Sequence, residues 1–402
     1  MIETGLIPLH EPISGLPPLI YKSAQLQDVA VNFGAAQGPV AADTERASGH
    51  RYGQATYLIQ LCRADAQTAL IDTVALRDLS AIQQAVGGAE FVIHAASQDL
   101  AGLREHGLAP QKLFDTELAG RLLGLPKVNL GTLVAEFLGY ELTKKYSSVD
   151  WSTRPLPSDW LRYAALDVDL LLELRDILSG QLAQAGKLDW AEQEFAAVLA
   201  AAPPPLRPEP WRRTSGLSGL RDRRQLAVVR ALWYARDRVA KARDLAPKLV
   251  LSDAALIAAA QQQPSTVGQL LAIREFSAPH QRRRATFWQR AVDSALQLPP
   301  NRLPSLQGPG TDGPPAARSW PNRNPAAATR LAVVRDTIAA VSERVKVPGE
   351  NILLPDSVLR FAWQPPAKLT AATVADALAE LGARPWQVEL LAAPLASALR
   401  GL

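Results

Sequence analysis

The fold class that this sequence predicts is an α/β domain with a mixed sheet flanked by helices, followed by two all-α helical domains. The first half of the chain alternates short apolar runs, typical of buried strands, with helical segments. The second half shows helical periodicity alone and carries the pentapeptide LAVVR twice, at 226–230 and at 331–335. Proline-rich segments separate these parts and predict the domain boundaries.

Strands and helices alternate in the first half. Four strands are predicted there: VAADTE at 40–45, TYLIQLCRA at 56–64, TALIDT at 68–73 and EFVIHAA at 90–96. The second and third are separated by a short polar turn, which predicts antiparallel neighbours. The segment LAGLREHG predicts a helix that stops at Gly107. Residues 158–181 predict one long helix, with Ser158 as its N-cap and Gly180 as its stop signal.

The chain has 402 residues and is too long for one ordinary core, so we expect more than one domain. Residues 299–325 contain eight prolines and predict an extended linker without a core of its own. The predicted division is an α/β domain at 1–208, a helical domain at 209–298, a linker at 299–325 and a second helical domain at 326–402.

The two LAVVR segments begin modules that look like copies of each other. In the first, Asp253 lies 27 residues after the leucine that opens the pentapeptide. In the second, Asp356 lies 25 residues after the corresponding leucine. A second match at nearly the same offset argues against chance, so we expect two related helical modules.

The composition is typical of soluble globular proteins, with 48% hydrophobic and 20% charged residues. No apolar run reaches the ~18 residues that cross a membrane, and the N-terminus lacks the pattern of a secretion signal. The single cysteine, Cys62, excludes an internal disulfide framework and a cysteine-based zinc site. We therefore expect a monomeric cytoplasmic protein with no membrane partner.

Net charge is unevenly distributed, although its total is only +4. Residues 1–200 hold 15 Lys and Arg against 24 Asp and Glu, whereas residues 201–402 hold 28 against 15. The second half is therefore strongly basic, which suggests a polyanionic partner such as nucleic acid. A solvated arginine-rich surface with no partner explains the asymmetry equally well.

Acidic residues in the pattern of a metal site lie in the first half. Asp43 and Glu45 are two residues apart at the end of a strand, so both carboxylates point to one side of the sheet. Asp99 opens the helix after the fourth strand, and Tyr163 and Asp167 share one helix face. Converging carboxylates need cations, and all-oxygen ligands suit Mg²⁺ or Mn²⁺. Two such ions ~3.5–4 Å apart promote phosphoryl displacement, and Tyr163 can orient the attacking water.

Three motifs carry a resemblance to a known family. VAADTE…YGQATYLIQL, FVIHAASQDLAGL and YAALDVDLLLEL resemble, in this order, the three exonuclease motifs of the DEDD superfamily. Tyr163 indicates the tyrosine-containing branch, and FDTELAGRLLGL, NLGTLVAEFLGYEL and DWSTRPL resemble the ribonuclease D family in particular. RDRRQLAVVRALWYARDRVAKARD and LVLSDAAL resemble an HRDC domain, and the second LAVVR module, through RPWQVELL, resembles another HRDC-type copy. The N-terminal segment and the linker lie outside the resemblance.

The resemblance implies a ribonuclease H-like sheet and hydrolysis of RNA from its 3′ end, with release of nucleoside 5′-monophosphates. It implies that Tyr163 is catalytic and that two divalent cations are bound by Asp43, Glu45, Asp99 and Asp167. Expected substrates are RNAs with a free 3′ end, tRNA precursors among them. No nucleotide cofactor is expected, because the chain lacks a Gly-rich phosphate loop.

Candidate RNA-binding residues form two clusters, because basic and aromatic side chains near a metal site can steer phosphates and stack bases. The first cluster precedes the third motif and comprises Lys144, Lys145, Trp151 and Arg154. The second opens the first helical module and comprises Arg221, Arg223 and Arg224. Two alternatives stay open: Trp151 anchors the core, and Arg154 pairs with a structural acid.

Two other functions compete with an exoribonuclease. A DNA 3′–5′ exonuclease would use the same metal chemistry, since DNA and RNA share the phosphodiester and differ at the 2′-hydroxyl. A non-catalytic RNA-binding protein would act through the HRDC-like modules alone. The complete set of acids argues against the second alternative but does not distinguish RNA from DNA.

Overall fold

The computed structural model describes residues 5–142, 145–203, 205, 207–308 and 313–402. The strands of the first domain, here the α/β domain, are β1 (Ile7–Leu9), β2 (Leu19–Ile20), β3 (Val40–Arg46), β4 (Thr56–Arg63), β5 (Ala69–Asp72), β6 (Glu90–Ile93), β7 (Lys112–Asp115) and β8 (Tyr140–Leu142). Within the described residues, β2 to β7 form one six-stranded sheet in the order β2-β5-β4-β3-β6-β7. β4 runs antiparallel to β3 and β5, whereas the other neighbours are parallel, so the predicted mixed sheet is confirmed. β1 and β8 form a separate parallel pair.

Helices flank this sheet. They are α1 (Ser23–Ala35), α2 (Ser80–Val86), α3 (Leu100–Glu105), α4 (Thr116–Leu123), α5 (Leu130–Leu138), α6 (Ser158–Asp169), α7 (Leu171–Gln184) and α8 (Leu188–Ala200). β3 is covered on both faces, so Val40, Ala41 and Ala42 are all fully buried. α6 packs across β3 and β4, which brings the third sequence motif over the first.

The fourth predicted strand ends at Ile93 rather than at residue 96. Ala95 adopts a left-handed backbone conformation, with φ 58°. The backbone N–H groups of Ala95 and Ala96 donate to the Asp115 carboxylate at 3.1 and 2.9 Å. These hydrogen bonds to the Asp115 carboxylate take the place of backbone hydrogen bonds to a neighbouring strand, and the chain turns toward α3.

Residues 158–181, predicted as one helix, form two helices with a break at Leu170. The break lets the two helices bury different faces. α6 packs Ala164 into a small cluster around Trp151, whereas α7 buries Leu174 in the main core. The periodicity of the sequence is continuous across this point, because both helices are amphipathic.

The ends of these helices also differ from the prediction. Pro157 rather than Ser158 is the N-cap residue of α6. Gly180 does not stop α7, which continues through Leu182 and buries it. Packing of that leucine outweighs the ~1 kcal/mol that glycine costs inside a helix.

The second half of the chain forms two helical modules, as predicted. The first helical module comprises α9 (Arg223–Arg243), α10 (Pro247–Val250), α11 (Asp253–Gln262), α12 (Val267–Ala272), α13 (Pro279–Arg282) and α14 (Ala285–Leu296). The second helical module comprises α15 (Trp320–Arg323), α16 (Pro325–Val345), α17 (Gly349–Ile352), α18 (Pro355–Trp363), α19 (Ala371–Glu380) and α20 (Pro385–Arg400). No helix in the described ranges is long and apolar enough to span a bilayer.

The predicted repeat is visible in the elements themselves. α9 and α16 each have 21 residues and are followed by a residue with left-handed backbone, Asp244 (φ 49°) and Lys346 (φ 51°). A helix of four residues comes next in each module. The helix after that begins at Asp253 in the first module and at Pro355 in the second. The two modules therefore share their element order as well as their pentapeptide.

The predicted linker at 299–325 is too long at both ends. Leu303 packs against the first helical module, and Arg223 donates to its carbonyl at 2.7 Å. Trp320 is fully buried with the second helical module. Proline content alone misplaces these boundaries, because buried aromatic and aliphatic side chains anchor the flanking segments. Residues 309–312 lie outside the described part of the chain.

Candidate metal centre

Three carboxylates meet above the sheet. One oxygen from each of Asp43, Glu45 and Asp167 lies within 4.8 Å of the others. Asp43 and Glu45 project from the same face of β3 because side chains alternate along a strand. α6 crosses that face and supplies Asp167. Among the described residues, this is the one cluster of three or more His, Cys, Asp or Glu side chains close enough to share a cation.

The fourth predicted carboxylate, Asp99, lies beside this cluster rather than within it. Its Oδ1 accepts hydrogen bonds from the Thr44 hydroxyl at 2.6 Å and from Arg46 at 3.2 Å. Arg46 also donates to the backbone carbonyl of Gln98 at 2.6 Å. Asp99 precedes α3, but its side chain makes no capping hydrogen bond there. Thr44 and Arg46 thus determine where this carboxylate points.

Burial and mutual repulsion disfavour the ionised forms of these acids. The pKa of Asp43 is raised well above its usual value by burial, and then by the charges of Asp99 and Asp167. The pKa of Glu45 is raised in the same way, by burial first and then by Asp43. Burial raises the pKa of Asp167 to about 7, although a hydrogen bond from Tyr163 opposes this shift. Without a counter-charge, the cluster retains protons near neutral pH.

Tyr163 borders the same cluster. It donates a hydrogen bond to Asp167, which lies one helical turn later on α6. Burial, followed by the negative charge of Asp167, raises the pKa of the Tyr163 phenol above its usual value. The phenol therefore stays protonated and can orient a water molecule but cannot act as a base. Its ring also meets the ring of Tyr146 edge to face, at a centroid distance of 6.0 Å.

Gly102 is a further residue that shapes the site and that motif analysis did not single out. A Cβ at this position would overlap the buried hydroxyl of Thr56. Glycine therefore lets α3 approach β4 closely, and this approach positions Asp99 at the start of α3. The only signal in the sequence is an isolated glycine inside a helical pattern, LAGLRE.

Gln60 carries a polar side chain in the same region. It lies on β4 directly opposite Asp43 and is fully buried. Directly paired residues on antiparallel strands project from the same face of a sheet. Both the Nε2 and the Oε1 of Gln60 are without a hydrogen-bond partner in the described structure. Motif analysis missed this residue because a single Gln inside an apolar strand has no distinctive spacing.

The first cluster of predicted RNA-binding residues serves largely structural purposes. Trp151 is fully buried, and Arg154 forms a two-point ion pair with Asp72 at 2.7 Å for each contact. Arg154 also donates to the carbonyl of Tyr57 at 2.8 Å. The prediction that these two residues bind RNA is therefore wrong, and the structural alternatives are correct. Lys145 is exposed, whereas Lys144 lies outside the described residues.

The residues of the second cluster also make mainly structural contacts within the protein. Arg223 donates to the carbonyl of Leu303, and Arg224 donates to the carbonyl of Leu296 at 2.9 Å. These contacts hold the segment that follows the first helical module against α9, and the predicted RNA binding by both arginines stays a prediction. Arg221 donates to the Ser218 carbonyl and is otherwise exposed. A run of basic residues in the sequence does not distinguish helix-end contacts from a free surface.

Comparison with family models divides the chain into three parts. Residues 18–183 match a 3′–5′ exonuclease domain, and residues 225–292 match the HRDC domain. Residues 313–399 match the 3′ to 5′ exonuclease C-terminal domain. The second helical module, expected to be an HRDC copy, thus matches a family model of its own, although it shares the element order of the first.

Relatives and solved structures agree with this division. A ribonuclease D from Gluconacetobacter diazotrophicus is 31% identical over 335 residues, which is 81% of each chain. A crystal structure of a protein from Bifidobacterium adolescentis is 36% identical, with a TM-score of 0.91, and covers 98% of this chain and 100% of that one. Escherichia coli RNase D, described as an exoribonuclease involved in structured RNA processing, is 26% identical with a TM-score of 0.68. That match covers 96% of this chain and 98% of the E. coli protein.

Proposed function

The chain belongs to the ribonuclease D family of 3′–5′ exoribonucleases, and from this premise we propose that four carboxylates hold two divalent cations at its hydrolytic site. These carboxylates are Asp43, Glu45, Asp99 and Asp167. The observation that carries the proposal is the meeting of three of them, one buried and two half-buried, beside the phenol of Tyr163. The fourth is held next to them by Thr44 and Arg46.

The residues present fit Mg²⁺ or Mn²⁺. The donors are carboxylate oxygens without histidine or cysteine, and hard oxygen donors suit these ions. Burial, followed by mutual repulsion, raises the pKa values of Asp43 and Glu45, and divalent cations would offset both effects. When bound, such ions would supply Lewis acidity at the scissile phosphate and lower the pKa of an attacking water.

The side chains of the site have distinct tasks in this proposal. The carboxylates of β3 and α6 would hold the cations. Tyr163, held in its protonated form, orients the attacking water through its hydroxyl. Arg46 acts indirectly, because it holds the Asp99 carboxylate in place. The water oxygen joins the phosphorus, the bond to the 3′ oxygen of the preceding nucleotide breaks, and a nucleoside 5′-monophosphate leaves.

The proposed substrates are RNAs with a free 3′ end, tRNA and other stable RNA precursors among them. The E. coli relative is described as processing structured RNA, which supports this class of substrate. We further propose that the enzyme acts as a monomer in the cytoplasm, without a nucleotide cofactor. The phosphodiester chemistry is the same for DNA, so the choice of RNA rests on the family and needs a direct test.

The test is hydrolysis of 5′-labelled single-stranded RNA and DNA of one sequence, with Mg²⁺, with Mn²⁺ and with a chelator. We expect stepwise shortening of RNA from its 3′ end, release of mononucleotides, and no reaction with chelator. Asp43→Asn and Asp167→Asn should each abolish most turnover, whereas Asp28→Asn, an exposed change on α1, should not. Near-normal turnover by either site variant at saturating Mg²⁺ would overturn the mechanism. Faster cleavage of DNA than of RNA would favour the DNA exonuclease alternative.

Tyr163→Phe distinguishes a role in orienting the attacking water from a role in metal binding. It removes one hydroxyl whose contribution is realised when water attacks, and such groups typically contribute ~10²–10⁴-fold to the rate. We expect a slower single-turnover rate with little change in Mn²⁺ affinity. An unchanged rate would assign Tyr163 a structural role only.

A further inference from the structure

A groove of about 890 Å³ has Tyr163 among the residues that line it. Its walls come from α5, α6 and the small sheet of β1 and β8. β1 is the N-terminal strand Ile7–Leu9, which pairs with Tyr140–Leu142. The N-terminal segment lies outside the family motifs, yet it forms one wall of a groove that Tyr163 also lines.

The groove combines cationic, aromatic and apolar side chains with two carboxylates, those of Glu141 and Asp159. Lys145 and Arg162 contribute positive charge, and Tyr146 contributes an aromatic ring. Arg162 contacts Glu11 at 3.6 Å and Asp159 at 2.8 Å. Both partner carboxylates are exposed, at 63% and 67%, so these ion pairs are weak and a phosphate can compete for the guanidinium.

Tyr146 connects the groove to the reaction site. Its ring contacts that of Tyr163 edge to face, and it also contacts Trp160 at a centroid distance of 6.3 Å. These two contacts fix the orientation of the Tyr146 ring while it remains part of the groove lining. An aromatic ring fixed beside cationic side chains is the arrangement that stacks a base and faces its phosphates.

We propose that this groove binds the single-stranded 3′-terminal segment of RNA. Tyr146 stacks on a base, and Lys145 and Arg162 face the neighbouring phosphates. The proposal rests on the proposed function, because Tyr163 lines both the groove and the hydrolytic site. The size supports a few unpaired nucleotides, since cavities of ~300–1,000 Å³ hold small ligands. A duplex end must therefore open before its 3′ nucleotides enter.

Stacking is tested by removing either the ring or the base. Binding of a short 5′-labelled RNA is measured in an Asp167→Asn background with Mg²⁺, which prevents cleavage. The RNA has either normal or abasic 3′-terminal nucleotides. With Tyr146 present, we expect the abasic RNA to bind about 5- to 100-fold more weakly. With Tyr146→Leu, both RNAs should bind equally weakly, whereas Tyr146→Phe should retain the difference. If all three proteins lose the same factor in affinity when the RNA is abasic, Tyr146 does not stack on a base.

The cationic side chains are tested by the salt dependence of the same binding. Lys145→Gln and Arg162→Gln should each reduce the slope of log affinity against log salt by about 0.7, the value for one phosphate contact on a single strand. Lys112→Gln, an exposed change at the start of β7, is the matched control and should leave the slope unchanged. Slopes equal to that of the control would overturn the phosphate contacts.

These outcomes are distinguishable from failure of the proposed function. If Asp43→Asn retains turnover, the metal mechanism fails whatever the binding assays show. If Asp43→Asn is inactive while the Tyr146, Lys145 and Arg162 variants bind RNA normally, the groove proposal alone fails.

Gln60 supports a second inference, from an independent observation. Its amide is fully buried without a partner and lies directly opposite Asp43 on the adjacent strand. An unpaired buried amide destabilises a fold, so a purely structural role would favour an apolar residue here. We infer that Gln60 is a positioning residue, whose side-chain N–H group donates to the Asp43 carboxylate in the metal-bound site and orients it as a ligand. This inference also rests on the proposed function.

Gln60→Leu separates the two roles of this residue. We expect the chelator-treated variant to melt at a higher temperature than the wild-type protein, because an unpaired polar group is gone. We expect its Mn²⁺ affinity to fall by about 10- to 100-fold, the usual effect of losing a residue that orients a ligand. Unchanged Mn²⁺ affinity would overturn the inference. If Asp43→Asn also leaves Mn²⁺ affinity unchanged, the metal site itself is wrong, and the fault does not lie with Gln60 alone.

Discussion

The two helical modules share an element order but are attached to the α/β domain in different ways. Buried side chains of the first helical module, such as Trp211 and Trp288, form a core of their own. Those of the second, such as Trp320 and Trp386, belong to the same continuous core as Phe91 of the central sheet. The second module is therefore part of the α/β domain's core, whereas the first is an independent folding unit.

Contacts at the second interface are close. Trp386 stacks on Trp190 at a centroid distance of 4.8 Å, and its indole N–H donates to Glu194 at 3.0 Å. Lys187 donates through Nζ to the carbonyl of Lys346 at 3.4 Å. Gly124, with φ 78°, is so close to the Lys346 carbonyl that a side chain there would overlap it. Such packing resembles a domain core more than a docking surface.

Contacts at the first interface are mainly polar, although Tyr52 also packs against the core of the first helical module. The Tyr52 hydroxyl donates to Asp237 at 3.0 Å, and the Tyr52 backbone N–H donates to Asp244 at 3.3 Å. The N–H of Ala246 donates to the His50 carbonyl at 3.0 Å. All of these contacts involve the loop that follows β3, the strand that carries Asp43. Interfaces of this kind permit domain movement.

Sequence similarity between the two modules therefore does not imply that they attach to the α/β domain in the same way. It also changes how the basic half can be studied. Removing residues 209–402 would delete Trp386 and expose the apolar surface that it covers. Loss of RNA binding by such a truncated chain would not distinguish lost contacts from a damaged core. Single substitutions within each module test the comparison more cleanly.

Trp386→Ala should have the largest effect. Deleting a buried tryptophan typically costs ~3–5 kcal/mol, and here the cavity opens inside the core of the α/β domain. We expect the α/β domain to unfold at a lower urea concentration. The unfolding midpoints measured by tryptophan fluorescence and by exonuclease activity should shift together. Trp386→Phe, which retains an aromatic ring, should lose less. Unchanged stability of the α/β domain would refute a shared core.

Trp288→Ala is the matched change in the first helical module, where the ring is also fully buried. We expect a similar loss of ~3–5 kcal/mol, but confined to that module. Activity on a short single-stranded RNA should then persist at urea concentrations where the module has unfolded. Hydrogen exchange that resolves α9 from α7 provides the measurement. Simultaneous unfolding of both regions would show that the two modules are coupled to the α/β domain alike.

Tyr52→Phe should have a smaller effect, limited to the first interface. It removes one hydrogen bond, to Asp237, and such bonds typically contribute ~0.5–1.5 kcal/mol. We expect faster amide exchange at Ala246, whose N–H crosses the interface, without a change in exchange within the α14 core. The control is Tyr234→Phe, which changes an exposed ring on α9, the helix that carries Asp237. Equal exchange rates in both variants would mean that the Tyr52 hydroxyl does not hold the module.

The smallest effect is a pH dependence at the second interface. Burial raises the pKa of Glu194, although Arg384 and Trp386 oppose the shift. A raised pKa means that the folded protein holds this proton more tightly than the unfolded chain. The stabilisation that comes from this bound proton is therefore fully present at pH values below the usual pKa of ~4.3. It is lost as the pH rises through the raised pKa of the folded protein. Glu194→Gln should flatten the fall in stability over that window, measured by urea unfolding at several pH values. An unchanged slope would refute this assignment.

Much of the architecture could be predicted from local patterns. The strands at 40–45, 56–64 and 68–73 are correct within a residue or two, because alternation and apolar runs reflect burial directly. The acids were found because their spacing follows the periods of strand and helix. Predictions failed where one residue type has two uses. Arg154 looked like a phosphate-binding residue, but it binds a carboxylate of the protein itself.

Apart from β1, β2, β7 and β8, the sequence alone predicted the strands, the repeat of the helical modules and the candidate acids of the metal site. These properties depend on spacing along the chain, which a single sequence records. Tertiary structure alone decided that Asp99 is held by Thr44 and Arg46, that Gln60 is buried without a partner, and that only one module shares the α/β core. The physical reason is that burial and hydrogen-bond partners depend on residues far apart in sequence. Trp386 and Glu194, for example, meet across 192 positions of the chain.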